Sequence, residues 1–161
     1  MTASGRSAHS SGIFAPGVGY GAIYELARIL DEFRRELPEQ NLTYNVGLVT
    51  GGATAELQDQ TLKGVATGKT NIIAGTAIAR GDIRALTQEQ IDRTKAKMQA
   101  IVSRSLPGTT AILSFDPGDY PPMAPTEGNR AILTKLNGVN RDMMSWTLRL
   151  MLSGVIPCSA L

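Results

Sequence analysis

An α+β sandwich is the architecture this sequence predicts, and three observations carry it. Two stretches repeat apolar residues at spacings of three and four, the period of a helix buried on one face. Others alternate apolar and polar residues, the period of a half-buried strand. The order along the chain reads strand, helix, strand, strand, helix, strand, then a trailing helix. Two helices on one face of a four-stranded antiparallel sheet satisfy that order and bury both apolar surfaces. This is the ferredoxin-like βαββαβ sandwich. It is expected to leave the second sheet face free, and a bare sheet edge favours self-association.

The elements follow in order. Residues 1–16 are small and polar and are expected to hold only part of a strand, because Met1 leaves little room before it. Residues 21–37 predict a helix with Ile23, Leu26, Ala27, Leu30, Phe33 and Leu37 on its apolar face. Glu25, Arg28, Asp31, Glu32 and Arg35 lie off that face, Asp31 and Arg35 form a favourable i,i+4 pair, and Pro38 ends the helix. Residues 42–50 predict a strand in which Leu42, Tyr44, Val46 and Leu48 face one way, closed by Gly51 and Gly52. Residues 53–70, rich in Gly, Thr and Gln, read as a long connection.

Residues 71–84 alternate again, with Ile73, Ala77, Ala79 and Ile83 on one face and Arg80, Asp82 and Arg84 on the other. Thr87 with Gln90 makes a capping box, which opens a helix to about Ser105 with Ile91, Met98, Ile101 and Val102 inward. Leu106-Pro107-Gly108 stops it. Residues 109–116 predict a strand with Ala111, Leu113 and Phe115 on one face. Pro117, Pro121, Pro122 and Pro125 predict a loop, and a helix runs from Asn129 to about Leu152. The sandwich is thus assigned to residues 1–120, and the proline-rich loop with its trailing helix to 121–161.

Composition excludes several classes. Hydrophobic residues make up 42% and charged residues 19% of 161, too apolar for a disordered chain and enough for one core. The single cysteine, Cys158, excludes an intrachain disulfide and a thiolate zinc cluster, and the single histidine, His9, excludes a multi-histidine metal site. As a nucleophile–base pair, Cys158 and His9 lie at opposite ends of the chain. A net charge of +2 without a dense basic run, and 5% aromatics, argue against nucleic acid as a partner. No apolar stretch approaches the roughly 18 residues of a membrane span. The first residues lack the apolar core of a leader, so a cytoplasmic setting is the default, with a leader on a longer chain left open.

Several strings invite a chemical reading. Gly64-Val65-Ala66-Thr67-Gly68-Lys69-Thr70 is one residue short of a phosphate-binding loop and precedes a strand rather than a helix. Gly17-Val18-Gly19-Tyr20-Gly21 precedes a helix, where its amides could hold an anion or merely supply flexibility. His9, in Ala8-His9-Ser10-Ser11-Gly12, is either an exposed loop histidine or a donor to a developing oxyanion. Arg80, Asp82 and Arg84 are either a solvated ladder or include an arginine that grips a carboxylate. Asn71 opens its strand, where an amide is often only a turn residue. No His-x-Asp or Glu-Glu string is present, so the chain shows no metal site of its own.

Taken together, some of these strings resemble one family. They are Gly5-Arg6-Ser7-Ala8-His9-Ser10-Ser11 before an amphipathic helix, Asn71-Ile72-Ile73 opening a strand, and Gly81-Asp82-Ile83-Arg84 closing it. In order and spacing, over about residues 4–142, they resemble the lid, or dimerisation, domain of the zinc-dependent M-twenty metallopeptidases. Glutamate carboxypeptidase, acetylornithine deacetylase and succinyl-diaminopimelate desuccinylase are relatives.

The resemblance implies a lid inserted in a separate catalytic domain, which supplies two zinc ions and a glutamate base for hydrolysis of an amide or peptide bond. It implies a homodimer through helix 21–37 and a sheet edge. By the same resemblance, His9 reaches the neighbouring subunit's active site to stabilise the oxyanion, Asn71 orients substrate there, and Arg84 holds a substrate carboxylate. The chain departs from the family at Ala74-Gly75, where proline is common, and after Asp142, where a Gly- and Asp-rich segment is replaced by Met143-Met144-Ser145-Trp146 and a Leu-rich tail. Every zinc ligand is missing, so this chain alone is expected to be inactive. The alternative is a stand-alone ferredoxin-like module for dimerisation or small-ligand binding.

Overall fold

Apolar alternation produces the strands and the three-four repeat produces the helices, in the predicted order but with two further strands between the first two helices. The computed structural model describes residues 1–58, 63–116, 121–122 and 124–143. The elements are β1 (Thr2–Gly5), α1 (Ala22–Glu36), β2 (Thr43–Gly52), β3 (Thr54–Gln58), β4 (Lys63–Thr67), β5 (Thr76–Arg84), α2 (Gln88–Val102), β6 (Thr109–Ile112) and α3 (Glu127–Asp142). The main sheet has the order β2-β5-β1-β6 and is antiparallel throughout. β1 is a central strand, flanked by β5 and β6, and begins at Thr2, directly after the first residue. No described helix is long and apolar enough to cross a membrane.

Both helices cover one face. Ile29, Phe33 and Leu37 meet Met98, Ile101 and Val102, with Tyr44, Ile83 and Ala111 of the sheet packed beneath. Burying each large side chain contributes about 1.5–3 kcal/mol. A second cluster, Ala3, Ala22, Leu26, Ala77 and Ala79, is built of small residues. These let α1 lie close to the central strands.

The helices are rotated relative to their expected faces. α1 buries Glu25 and Ile29 and turns Ile23 to solvent, 48% exposed. Glu25 is drawn inward by buried donors that no sequence period announces. In α2 the first inward turns carry Gln90 and Thr94, with Ile91 only half-buried. Thr87 Oγ1 accepts from the Gln90 amide at 3.2 Å, as a cap should. The Gln90 side chain, however, accepts from the Leu86 amide and donates to Glu39 and to the Gln40 carbonyl, tying α2 to the α1–β2 connection.

Residues 53–70 are not a plain connection. β3 and β4 form an antiparallel hairpin, Thr54 opposite Thr67, in which Ala55 and Leu57 alternate with exposed polar residues. Gly64 of β4 lies on the Thr50 side chain, so part of the second sheet face is covered rather than free. The strand expected over 71–84 starts at Thr76, and the one expected over 109–116 ends at Ile112.

β2 contains a bulge. Val46 pairs with Gly81 but Leu48 pairs with Arg80, leaving Gly47 as the extra residue. The extra residue flips the alternation. Tyr44 and Val46 face the helices, whereas beyond the bulge Val49 and Gly51 do so, opposite Ala79 and Ala77. Leu48 therefore sits on the other face from the one its spacing predicts.

α3 is capped by Thr126, whose side chain accepts from the Asn129 amide, and none of its residues is buried. It starts two residues before the expected Asn129. The continuation toward Leu152, together with Pro117, Trp146 and Cys158, lies outside the described residues.

Candidate functional site

The sheet places His9 beside Asn71, although 62 positions separate them in the chain. Past β1 the backbone keeps running antiparallel to the segment that leads into β5. The Gly5 amide donates to the Gly75 carbonyl, the Ile73 amide to Ala8, and the Ser10 amide to Asn71, with His9 bridged to Ile72. His9 then caps a short 3-10 turn, Ser10–Gly12. Its Nε2 lies 3.4 Å from the Asn71 amide group. Its Nδ1 accepts from the Ser11 amide at 3.2 Å and lies 2.8 Å from Ser11 Oγ. His9 and Asn71 form an exposed polar pair just beyond the Thr76 end of β5.

Arg84 stands at the other end of the same strand, opposite Thr43. Eight residue steps at about 3.3 Å separate the strand ends by roughly 26 Å. One copy of the chain therefore does not bring Arg84 to His9 and Asn71. The Arg84 guanidinium contacts Asp82 on the same face at 2.8 Å, with both side chains half exposed. Arg80 pairs at 3.5 Å with Asp116.

The glycine strings do not make nucleotide sites. Gly64 to Thr67 lie within β4, so the phosphate-loop look-alike opens no helix. Before α1, Gly21 occupies the cap position at φ 79°, a conformation that glycine adopts without a Cβ clash. The first helical amide there, Ala22, already donates to the Ala74 carbonyl at 2.9 Å. Among the described residues no three His, Cys, Asp or Glu side chains gather as a metal cluster.

A buried polar cluster fixes the frame around the site. The Glu25 carboxylate is fully buried and accepts from Arg28 at 2.6 Å, from the Leu106 amide at 2.8 Å and from Thr109 Oγ1 at 3.0 Å. Burial alone would raise its pKa. The Arg28 guanidinium and the two further donors outweigh this and hold it below the ordinary carboxylate value. The neighbouring Pro107 carbonyl accepts from the Tyr20 amide, so the turn that Glu25 pins also holds the segment between the His9 turn and α1.

A separate surface adjoins the sheet edge. In the described sheet β2 pairs only with β5. Between β2 and α1 runs an open apolar groove lined by Ile23, Leu26, Leu30, Val49 and Ala77. Ile23, Tyr24 and Val49 are about half exposed. α1 thus has a wider apolar arc than its core contacts use. Sequence periodicity places Ile23, Leu26 and Leu30 of that arc on the apolar face with Phe33 and Leu37, and does not mark Tyr24.

The residue missed by sequence reasoning is Ser11. A short polar side chain two residues after a histidine is a local-turn signal, because its amide and hydroxyl can reach back to the ring.

A search of the curated proteins gave no match. Among solved structures, a protein from Burkholderia cenocepacia described as an amidohydrolase/peptidase is similar, with 15% identity and a TM-score of 0.60 over 96% of this chain and 34% of that one. A tripeptidase from Staphylococcus aureus gives 15% identity and a TM-score of 0.55, over 91% of this chain and 34% of that one. An aminopeptidase PepT from Bacillus cereus gives 18% and 0.53, over 91% and 35%. The likeness is one of fold, and this chain spans about a third of the length of these structures. The family model for the peptidase dimerisation domain matches residues 1–110, which take in the whole sandwich up to the first half of β6, with His9, Asn71 and Arg84 inside it. The chain therefore belongs to the peptidase dimerisation domain family of the M-twenty peptidases.

Proposed function

We propose that this chain is the lid of a zinc-dependent amidohydrolase or metallopeptidase, supplying polar contacts to an active site that another domain builds. The meeting of His9 and Asn71 is the observation that carries the reading. Two exposed hydrogen-bonding side chains, remote in sequence, are held together on a backbone bridge at the sheet end. In this reading His9 stabilises the oxyanion of the tetrahedral intermediate, Asn71 orients the substrate, and Arg84 grips a substrate carboxylate through its planar guanidinium.

The separation of Arg84 from the other two supports a two-copy arrangement. His9 and Asn71 of one copy would act in the site served by Arg84 of the other. The apolar groove between α1 and the β2 edge is the surface on which two copies would join. The attacking water, the zinc that activates it and the glutamate base belong in this reading to the catalytic domain. No step is assigned to a metal on this chain.

The test uses an active enzyme that carries this domain in its full-length form. His9→Ala should lower kcat about 10²–10³-fold, the loss expected for one oxyanion donor. An unchanged turnover number disposes of the assignment.

A further inference from the structure

We infer that Ser11 is a positioning residue that sets the proton on the His9 ring, locking the imidazole with hydrogen on Nε2 and none on Nδ1. The inference rests on the oxyanion reading of His9 for its purpose, though not for its chemistry. A backbone amide can only donate. The Ser11 N–H points at His9 Nδ1 at 3.2 Å, so in the neutral ring Nδ1 must be the acceptor. The proton is thereby placed on Nε2. The Ser11 hydroxyl, 2.8 Å from the same nitrogen, then has one role open to it and donates as well. Two donors from one residue converge on Nδ1.

A consequence follows for Asn71. The structure sets Asn71 Nδ2 at 3.4 Å from Nε2, which with Nε2 protonated would set donor against donor. Amide oxygen and nitrogen are interchangeable in position. The Asn71 amide is therefore turned so that its oxygen accepts from Nε2–H. At 3.4 Å that bond is long and exposed, and is readily given up. Ser11 thus presents a donor on the outward side of the ring, and Asn71 holds it until a stronger acceptor, such as an oxyanion, arrives. An Nδ1–H ring would present a lone pair in that direction and repel the same anion.

The chain has one histidine, so its ring nitrogens can be observed without ambiguity. Long-range nitrogen–proton correlation spectra of the 15N-labelled 161-residue chain at about pH 9, above the ordinary imidazole range, report the tautomer directly. The wild-type chain should show a protonated Nε2 and an unprotonated Nδ1. Ser11→Ala keeps the amide and removes the hydroxyl. It should lower the Nε2–H to Nδ1–H ratio about fivefold, the value of one net hydrogen bond of ~1 kcal/mol. Ser11→Thr should restore the ratio. A wild-type ring protonated on Nδ1, or a ratio unchanged in a folded Ser11→Ala chain, overturns the assignment. A wild-type ring protonated on Nδ1 overturns the assignment even if no variant folds, and the Ser11→Ala ratio is what attributes the preference to Ser11. No turnover enters the measurement, so its failure is distinguishable from failure of the oxyanion role, which His9→Ala tests.

Discussion

Removing the Glu25 carboxylate is the most demanding test of the structural argument. Glu25→Ala leaves the Leu106 amide, a partly buried donor, without its acceptor, at about 1–3 kcal/mol. Thr109 is better placed, since its hydroxyl also reaches the Leu106 carbonyl at 2.8 Å and can turn there. Arg28 loses its closest partner but keeps Glu32 at 2.9 Å and some contact with water. The charge is therefore not fully stranded, and the cost belongs near the lower end of the ~3–5 kcal/mol typical of a broken buried pair. We expect about 3–4 kcal/mol, or a fall in Tm of roughly 12 °C for a chain of this size. Glu25→Gln keeps an acceptor for Leu106 and Thr109 but turns an NH2 group toward Arg28, and should cost about 2 kcal/mol.

The pH dependence has a defined sign. The folded-state pKa of Glu25 lies below the ordinary value, so the carboxylate's contribution is complete above that ordinary value. It drains away as pH falls through the folded one. Urea unfolding of wild type and both variants should therefore show the gap at pH 7 and a smaller gap in acid. A Glu25→Ala chain within about 1 kcal/mol of wild type at pH 7 would refute the account of the buried cluster.

Two further outcomes are expected. Gly81→Ala places a methyl group against the Asn45 carbonyl across the bulge, where backbone cannot retreat as a side chain can, and should cost about 1–3 kcal/mol in thermal unfolding. Val49→Lys puts a charge at the mouth of the apolar groove. Since Val49 is half exposed, it should leave the monomer's stability within about 0.5 kcal/mol. It should abolish self-association in size-exclusion chromatography with light scattering; an unaltered dimer would move the joining surface elsewhere.

The fold was legible because its strongest signals are local. The α1 repeat, the Thr87 cap and the alternation from Ala77 to Ile83 each act over a few residues, and tertiary contacts agree with them. The departures arise where distant partners decide. Glu25 looks like a surface acid until Arg28, Leu106 and Thr109 converge on it, and Leu48 points where expected until an extra glycine shifts the pairing. The β3–β4 hairpin was hidden because its strands are short and its apolar positions are few. In the site, residue type singled out His9 and Asn71, yet their meeting depends on a bridge between remote segments. Ser11 escaped notice because Ser7 and Ser10 flank His9 as well, and spacing alone does not say which serine turns back to the ring. Its meaning lies in the direction of one amide.

The inserted glycine in β2 has a mechanical consequence. A perimeter strand with unbroken pleating could be zipped by any neighbour, in many alignments, into an endless ribbon. Here the rhythm is interrupted midway, so the alternation of the stretch before Gly47 and that of the stretch after it run out of phase by one residue. A flat visitor can match one stretch or the other but not both. The irregularity thereby narrows the alignments in which a further strand could add to this edge.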